Sequence, residues 1–69
     1  MDAIEQAVVE YIRQESEKGW LESDKVHEYL GSRFKAEDAL IAIANLINSG
    51  KMYARKRNGS CIYLINPRA

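Results

Sequence analysis

Apolar residues in the first fifty positions recur every three or four residues, which is the spacing of an amphipathic helix. Three such stretches predict helices over about residues 2–18, 23–30 and 36–49. Asp2, followed three residues later by Glu5, has the sequence of a capping box and should open the first helix. The apolar pair Trp20-Leu21, between the first two helices, predicts a short extra strand.

The spacing changes from helical to alternating after Gly50, which predicts a two-stranded wing over about residues 51–65. Pro67 should end the second of these strands, because proline cannot donate a hydrogen bond to a neighbouring strand. Three helices followed by a hairpin predict an α+β fold in one domain over residues 1–69.

The predicted wing can close in either of two registers. A two-residue turn at Asn58-Gly59 would place Met52 opposite Ile65, whereas a three-residue loop that ends at Gly59 would place Met52 opposite Leu64. We expect the three-residue loop, because it collects more apolar side chains on the face towards the helices. That face would carry Met52, Ala54, Ile62 and Leu64, and the opposite face Tyr53, Arg55, Cys61, Tyr63 and Ile65.

The third predicted helix has a core side and an outer side. We expect its core side to carry Leu40, Ile43, Leu46 and Ile47, packed with Val8, Ile12 and Phe34. The outer side would then carry Asp38, Ile41, Ala42, Asn45 and Ser49. Because this side has no arginine, lysine or glutamine, only Asn45 could read a base edge, most naturally that of adenine.

The order of elements resembles the winged helix-turn-helix family over nearly the whole chain. Between Phe34 and Ile65, a core aromatic residue, an acidic first helical turn and an apolar helix lead into Gly50-Lys51-Met52-Tyr53 at the start of the wing. This segment is most similar to the C-terminal winged helix of archaeal MCM replicative helicases. It also resembles the protein-docking winged helix that closes the middle subunit of replication protein A. The resemblance implies a setting in replication or transcription.

The formal net charge is zero, but the charges are unevenly distributed along the chain. Residues 1–38 contain all ten acidic residues, whereas residues 39–69 contain five basic residues and no acid. Three of these bases, Arg55, Lys56 and Arg57, are consecutive and lie at the tip of the predicted wing. Such an asymmetry between halves is typical of proteins that bind a polyanion.

The sequence contains no arrangement of residues typical of catalysis, so we expect no enzymatic activity. His27 is the sole histidine and Cys61 the sole cysteine, which argues against a metal site. There is no glycine-rich phosphate loop and no carboxylate in an apolar context, so we expect no cofactor. One cysteine suits a reducing compartment, and no apolar run approaches the roughly 18 residues of a membrane span. The expected location is cytoplasmic, nucleoid-associated in a prokaryote, with no membrane partner.

Two surfaces are candidates for function. The basic wing should bind nucleic acid, duplex DNA in the simplest case, weakly and largely independently of sequence, because phosphate contacts position a protein without specifying bases. The residues expected to contact DNA are Arg55, Lys56, Arg57, Tyr53, Tyr63, Lys51 and Asn45. Alternatively, Ile41, Ala42 and Asn45 on the third helix would dock a protein partner or a second copy of the chain. The simpler interpretations are a solvated hairpin tip and isolated surface apolar residues, which are common.

Overall fold

A computed structural model describes residues 2–68, which form three helices and three strands. In chain order these are α1 (Ala3–Glu15), β1 (Trp20–Glu22), α2 (Ser23–Gly31), α3 (Ala36–Asn48), β2 (Met52–Arg57) and β3 (Ser60–Ile65). The predicted α+β class is confirmed, and the order of a helix-turn-helix (α2 and α3) followed by a hairpin agrees with a small winged-helix architecture. Within residues 2–68, no helix has both the length and the apolar character needed to cross a membrane.

Local sequence explains both ends of α1. The Glu5 backbone N–H donates a 2.8 Å hydrogen bond to Oδ1 of Asp2, so the predicted cap is confirmed. The same bond holds the pKa of Asp2 below its ordinary value. The helix ends at Glu15, earlier than predicted, because the chain becomes extended at Ser16. Gly19, whose φ of 77° is left-handed, then turns the chain into β1.

The three strands form one antiparallel sheet in the order β1-β3-β2. The predicted short strand near Trp20 is confirmed, and it pairs with β3 so that Trp20 lies opposite Leu64. The last strand in sequence is therefore the central strand of the sheet, and it joins the wing to the connection between α1 and α2.

The register predicted for the wing is wrong. Met52 lies opposite Ile65 and Arg57 lies opposite Ser60, which leaves a two-residue turn at Asn58-Gly59. Both turn residues are left-handed, with φ of 51° and 81°, as in the primed turns whose twist matches that of the flanking strands. An Asn-Gly pair strongly favours this turn. That preference outweighs the larger number of apolar residues that a three-residue loop would turn towards the helices.

The observed register exchanges the two faces of the wing. Alternation from Met52, which is fully buried, places Tyr63 and Ile65 towards the helices and Ile62 and Leu64 on the other side. The side that faces away from the helices is called the open face here. Its residues are Trp20, Glu22, Tyr53, Arg55, Arg57, Ser60, Ile62 and Leu64. The residues on the helix side of the sheet are Leu21, Met52, Ala54, Lys56, Cys61, Tyr63 and Ile65.

The core lies between the helices and the inner side of the sheet. Its buried residues are Val8, Val9, Ile12, Leu21, Val26, Leu30, Ala39, Ile43, Leu46, Met52, Tyr63 and Ile65, with Phe34 and Ile47 packed partly buried against them. Most helical residues predicted for the core are therefore found there, but Leu40 is 58% exposed and Ala42, predicted outside, is buried. The inward stripe of α3 starts at Ala39, and two alanines in it let the helix lie close to its neighbours.

Candidate nucleic-acid interface

Two arginines and two aromatic rings share the open face of the sheet. Arg55 and Arg57 are two positions apart on β2, so their side chains leave the strand on the same side. Cζ of Arg57 lies 4.8 Å from the centre of the Trp20 ring, and Cζ of Arg55 lies 5.0 Å from that of Tyr53. A guanidinium over an aromatic face is a cation–π contact. These four residues are called the arginine–aromatic surface below.

The pairing of three strands explains why the two rings lie on one face of the sheet. Trp20 on β1 and Tyr53 on β2 both lie opposite Leu64 on the central strand, so the three side chains form one row across the sheet. In the next row, Ile62 lies between Glu22 and Arg55. Ile62 is only 7% exposed although the helices lie on the other side of the sheet. Arg55, directly opposite it on this face, has an apolar stem of the kind that can lie along such a residue.

A small depression adjoins the Trp20 ring, and we call it the wing recess. It has a volume of about 140 Å³ and is lined by Trp20, Glu22, Arg57, Asn58, Ser60 and Ile62. Ile62 supplies an apolar floor, whereas carboxylate, amide, hydroxyl and guanidinium groups surround it. No acid lies near the basic run in sequence, but strand pairing brings Glu22 to this face.

Tyr63, predicted as a contact to DNA, is instead buried on the helix side of the sheet. Its hydroxyl oxygen lies 2.8 Å from Nε2 of His27, within hydrogen-bonding distance, which joins α2 to β3. Burial raises the pKa of Tyr63, and the nearby Cys61 adds to this. The prediction that Tyr63 lies exposed across from Tyr53 is wrong, because the observed register turns the two rings to opposite faces.

The other predicted contact residues are dispersed. Lys56 is exposed but lies on the helix side of the hairpin, between the two arginines. Lys51 precedes β2 and is roughly 20 Å along the strand from Arg57 at 3.3 Å per residue. Asn45 is exposed on α3, which packs on the helix side of the sheet. The structure thus groups Tyr53, Arg55 and Arg57 from the predicted set.

Trp20 and Glu22 belong to this surface but were not predicted as site residues. The sequence signal for them was the short strand at Trp20-Leu21, which indicated an extended segment without indicating its partner. Pairing of that segment with β3 places both residues beside β2 of the wing on the open face.

The exposed side of α3 has a different character. Leu40 and Ile41 are 58% and 59% exposed, and Ala44, one turn further along, is also exposed. Glu37 and Asn48 lie at the two ends of this stripe at helical spacing. No arginine or lysine occurs between Ala36 and Asn48, so this side offers phosphates no cation.

A larger depression, of about 590 Å³, lies between the end of α1 and the end of β3. Its lining residues are Arg13, Ser16, Glu17, Lys18, Gly19, Leu64, Ile65 and Pro67. This lining has mixed charge and no aromatic ring, whereas the wing combines cations with rings. We therefore place the candidate interface at the wing.

Comparison with known proteins finds no protein-family model, no curated protein and no solved structure that matches this chain. Its function is therefore argued from the geometry of the described residues and from their chemistry.

Proposed function

We propose that this domain is a non-enzymatic winged-helix module that binds nucleic acid through its wing, weakly and with little preference for sequence. The observation that carries the proposal is the arginine–aromatic surface, in which Arg55 and Arg57 leave one face of the wing beside Trp20 and Tyr53. Guanidinium groups bind phosphate oxygens in pairs of hydrogen bonds, and neighbouring rings offer stacking surfaces to bases. A replication or transcription setting belongs to the proposal only through the sequence resemblance of residues 34–65 to the winged helix of MCM helicases.

The composition of α3 supports weak sequence preference. Helix-turn-helix proteins that read a sequence place side chains of the second helix against base edges in the major groove. Here the exposed side of α3 carries Leu40 and Ile41, with Glu37 and Asp38 in its first turn. The carboxylates would repel phosphates, and Asn45 is the one exposed side chain in the middle of the helix with hydrogen-bonding groups for a base edge. Contacts to phosphates through the wing would dominate the affinity instead.

The proposal predicts a moderate dependence of affinity on salt. The two phosphate contacts of Arg55 and Arg57 should make the logarithm of affinity fall against the logarithm of salt concentration with a slope of roughly −1.5 to −2. Isotope-labelled protein, titrated with a short DNA duplex at low salt, should show its largest backbone shifts between residues 53 and 57 and few in α1. An affinity that does not change with salt, or shifts confined to α1, would exclude the wing as the binding surface.

A second candidate function is self-association through α3, favoured by the exposure of Leu40 and Ile41. A second copy of the chain suits this stripe because two such helices, packed antiparallel around a two-fold axis, place Glu37 of one copy near Asn48 of the other. That arrangement avoids a contact between like charges at the ends of the interface.

Ile41→Lys tests this second function. A lysine at the centre of a dimer would lose its hydration without gaining a partner, so the variant should remain monomeric where the parent associates. Sedimentation velocity over a range of protein concentrations measures the change. Gln14→Lys, which adds the same charge to an exposed position of α1, is the matched control and should associate like the parent. A parent that stays monomeric at every concentration would rule out self-association.

A further inference from the structure

The wing recess combines features that suit a nucleobase better than a phosphate. We propose that it binds one unpaired pyrimidine base of a single strand, and cytosine in preference to thymine. This inference rests on the proposed function and extends it, because it names the form of nucleic acid and the base that the wing selects. Bases of a duplex are stacked and paired, so they present neither a free ring face nor a free pairing edge to such a site.

The recess matches a single aromatic ring in shape and polarity. Trp20 and Ile62 both line the recess, so a base stacked on the indole would have an apolar side chain beside it. Stacking of bases on aromatic side chains is a general mode of binding single strands. With a volume of about 140 Å³, the recess has room for one single-ring base.

The polar groups around the recess distinguish the two pyrimidines. The Glu22 carboxylate only accepts hydrogen bonds, and it can accept one from the N4 amino group of cytosine. Thymine carries the O4 acceptor at that position, so the two oxygens would repel each other. The Asn58 amide and the Ser60 hydroxyl also line the recess and can donate to the ring acceptors of either base.

The arginines supply the complementary contact to the strand. Arg57 is an exposed residue whose guanidinium lies against the indole at 4.8 Å. A base that enters the recess would take its place on the ring, and the guanidinium would then reach the adjacent phosphate. Arg55, on the same face, lies directly opposite Ile62 of the recess and can contact the next phosphate.

The sole tryptophan of the chain is Trp20, so its fluorescence reports directly on the recess. Oligo-dC and oligo-dT of equal length are titrated into the protein at mildly alkaline pH, where cytosine is unprotonated, alongside a duplex of similar length. We expect saturable quenching by the single strands and little by the duplex. Oligo-dC should bind about fivefold more tightly than oligo-dT. A parallel titration with oligo-rC compares the affinity of an RNA strand with that of a DNA strand carrying the same base.

Glu22→Gln tests the selecting group. Glutamine has a similar shape but can donate as well as accept, so the ratio of the affinities for oligo-dC and oligo-dT should fall close to one. Loss of a negative charge will strengthen binding to both strands, and the ratio removes that common effect. Glu28→Gln, an equal change of charge at an exposed position of α2, should keep the preference of the parent.

The outcomes separate this inference from the proposed function. If duplex and single strands bind equally and do not quench Trp20, the recess does not bind a base. The proposed binding of nucleic acid by the wing would remain. Failure of every nucleic acid to bind would overturn both. A preference for oligo-dC that survives Glu22→Gln unchanged would overturn the selection of the base by Glu22.

Discussion

Leu46→Ala should lower the free energy of unfolding by about 2–5 kcal/mol, because truncating a buried leucine removes apolar contacts and leaves a cavity. Leu46 is fully buried on the inward stripe of α3. Denaturation by urea, followed by circular dichroism, measures the difference from the parent.

Leu40→Ala is the matched control, since it makes the same chemical change on the same helix. Leu40 is 58% exposed, so its truncation should change the free energy of unfolding by less than about 0.5 kcal/mol. The sequence pattern placed both leucines in the core, whereas the structure separates them. Equal losses for the two variants would show that α3 is rotated differently about its axis.

Charge reversal of both wing arginines, Arg55→Glu with Arg57→Glu, should weaken the binding of nucleic acid at low salt by more than about tenfold. Each substitution replaces a guanidinium that attracts phosphate with a carboxylate that repels it, on the same face of the sheet. Both side chains are exposed, so the fold itself should persist, which circular dichroism checks. Fluorescence anisotropy of a labelled oligonucleotide measures the loss of affinity.

The double variant Lys25→Glu with Arg33→Glu is its control, because it changes the net charge by the same amount on and just after α2, away from the open face of the sheet. It should retain most of the affinity when both double variants are compared at about 0.1 M salt, where the Debye length is about 10 Å and long-range effects of net charge are largely screened. Equal weakening by both double variants would show that only the net charge matters, and the wing would lose its special role.

Local sequence signals were sufficient to predict the elements of the fold. Asp2 and Glu5 specify the start of α1 within four residues, and the change of spacing after Gly50 marks the passage from helix to strand. Such signals depend on neighbours in the chain, so they can be read without knowledge of the packing.

Features that depend on packing were predicted less well. In the observed register the wing closes with the two-residue turn at Asn58-Gly59. The same register buries Tyr63, which contacts His27 and pairs with Leu21 of β1. The apolar residues of α3 allow more than one orientation of the helix. In the structure Ala39 and Ala42 face inward, and the larger Leu40 is exposed. A count of large apolar residues cannot anticipate how closely two helices approach.

The residues of the candidate site also fall into those visible in the local sequence and those placed by packing. Arg55, Arg57 and Tyr53 are visible as a short basic and aromatic run in the sequence, and they share one surface. Trp20 and Glu22 join that surface only through pairing between segments about forty residues apart in sequence. A sequence pattern indicates that a segment is extended, but it does not indicate which segment will lie beside it.

The central position of β3 in the sheet has a consequence for synthesis on the ribosome. When residues up to Arg57 have emerged, β1 and β2 are present but neither has its partner strand. Leu21 and Met52 then lack Tyr63 and Ile65, which complete the inner side of the sheet. The nascent chain should therefore remain without its native tertiary structure until its last strand leaves the exit tunnel, and the domain should then form in a single cooperative step after translation of β3.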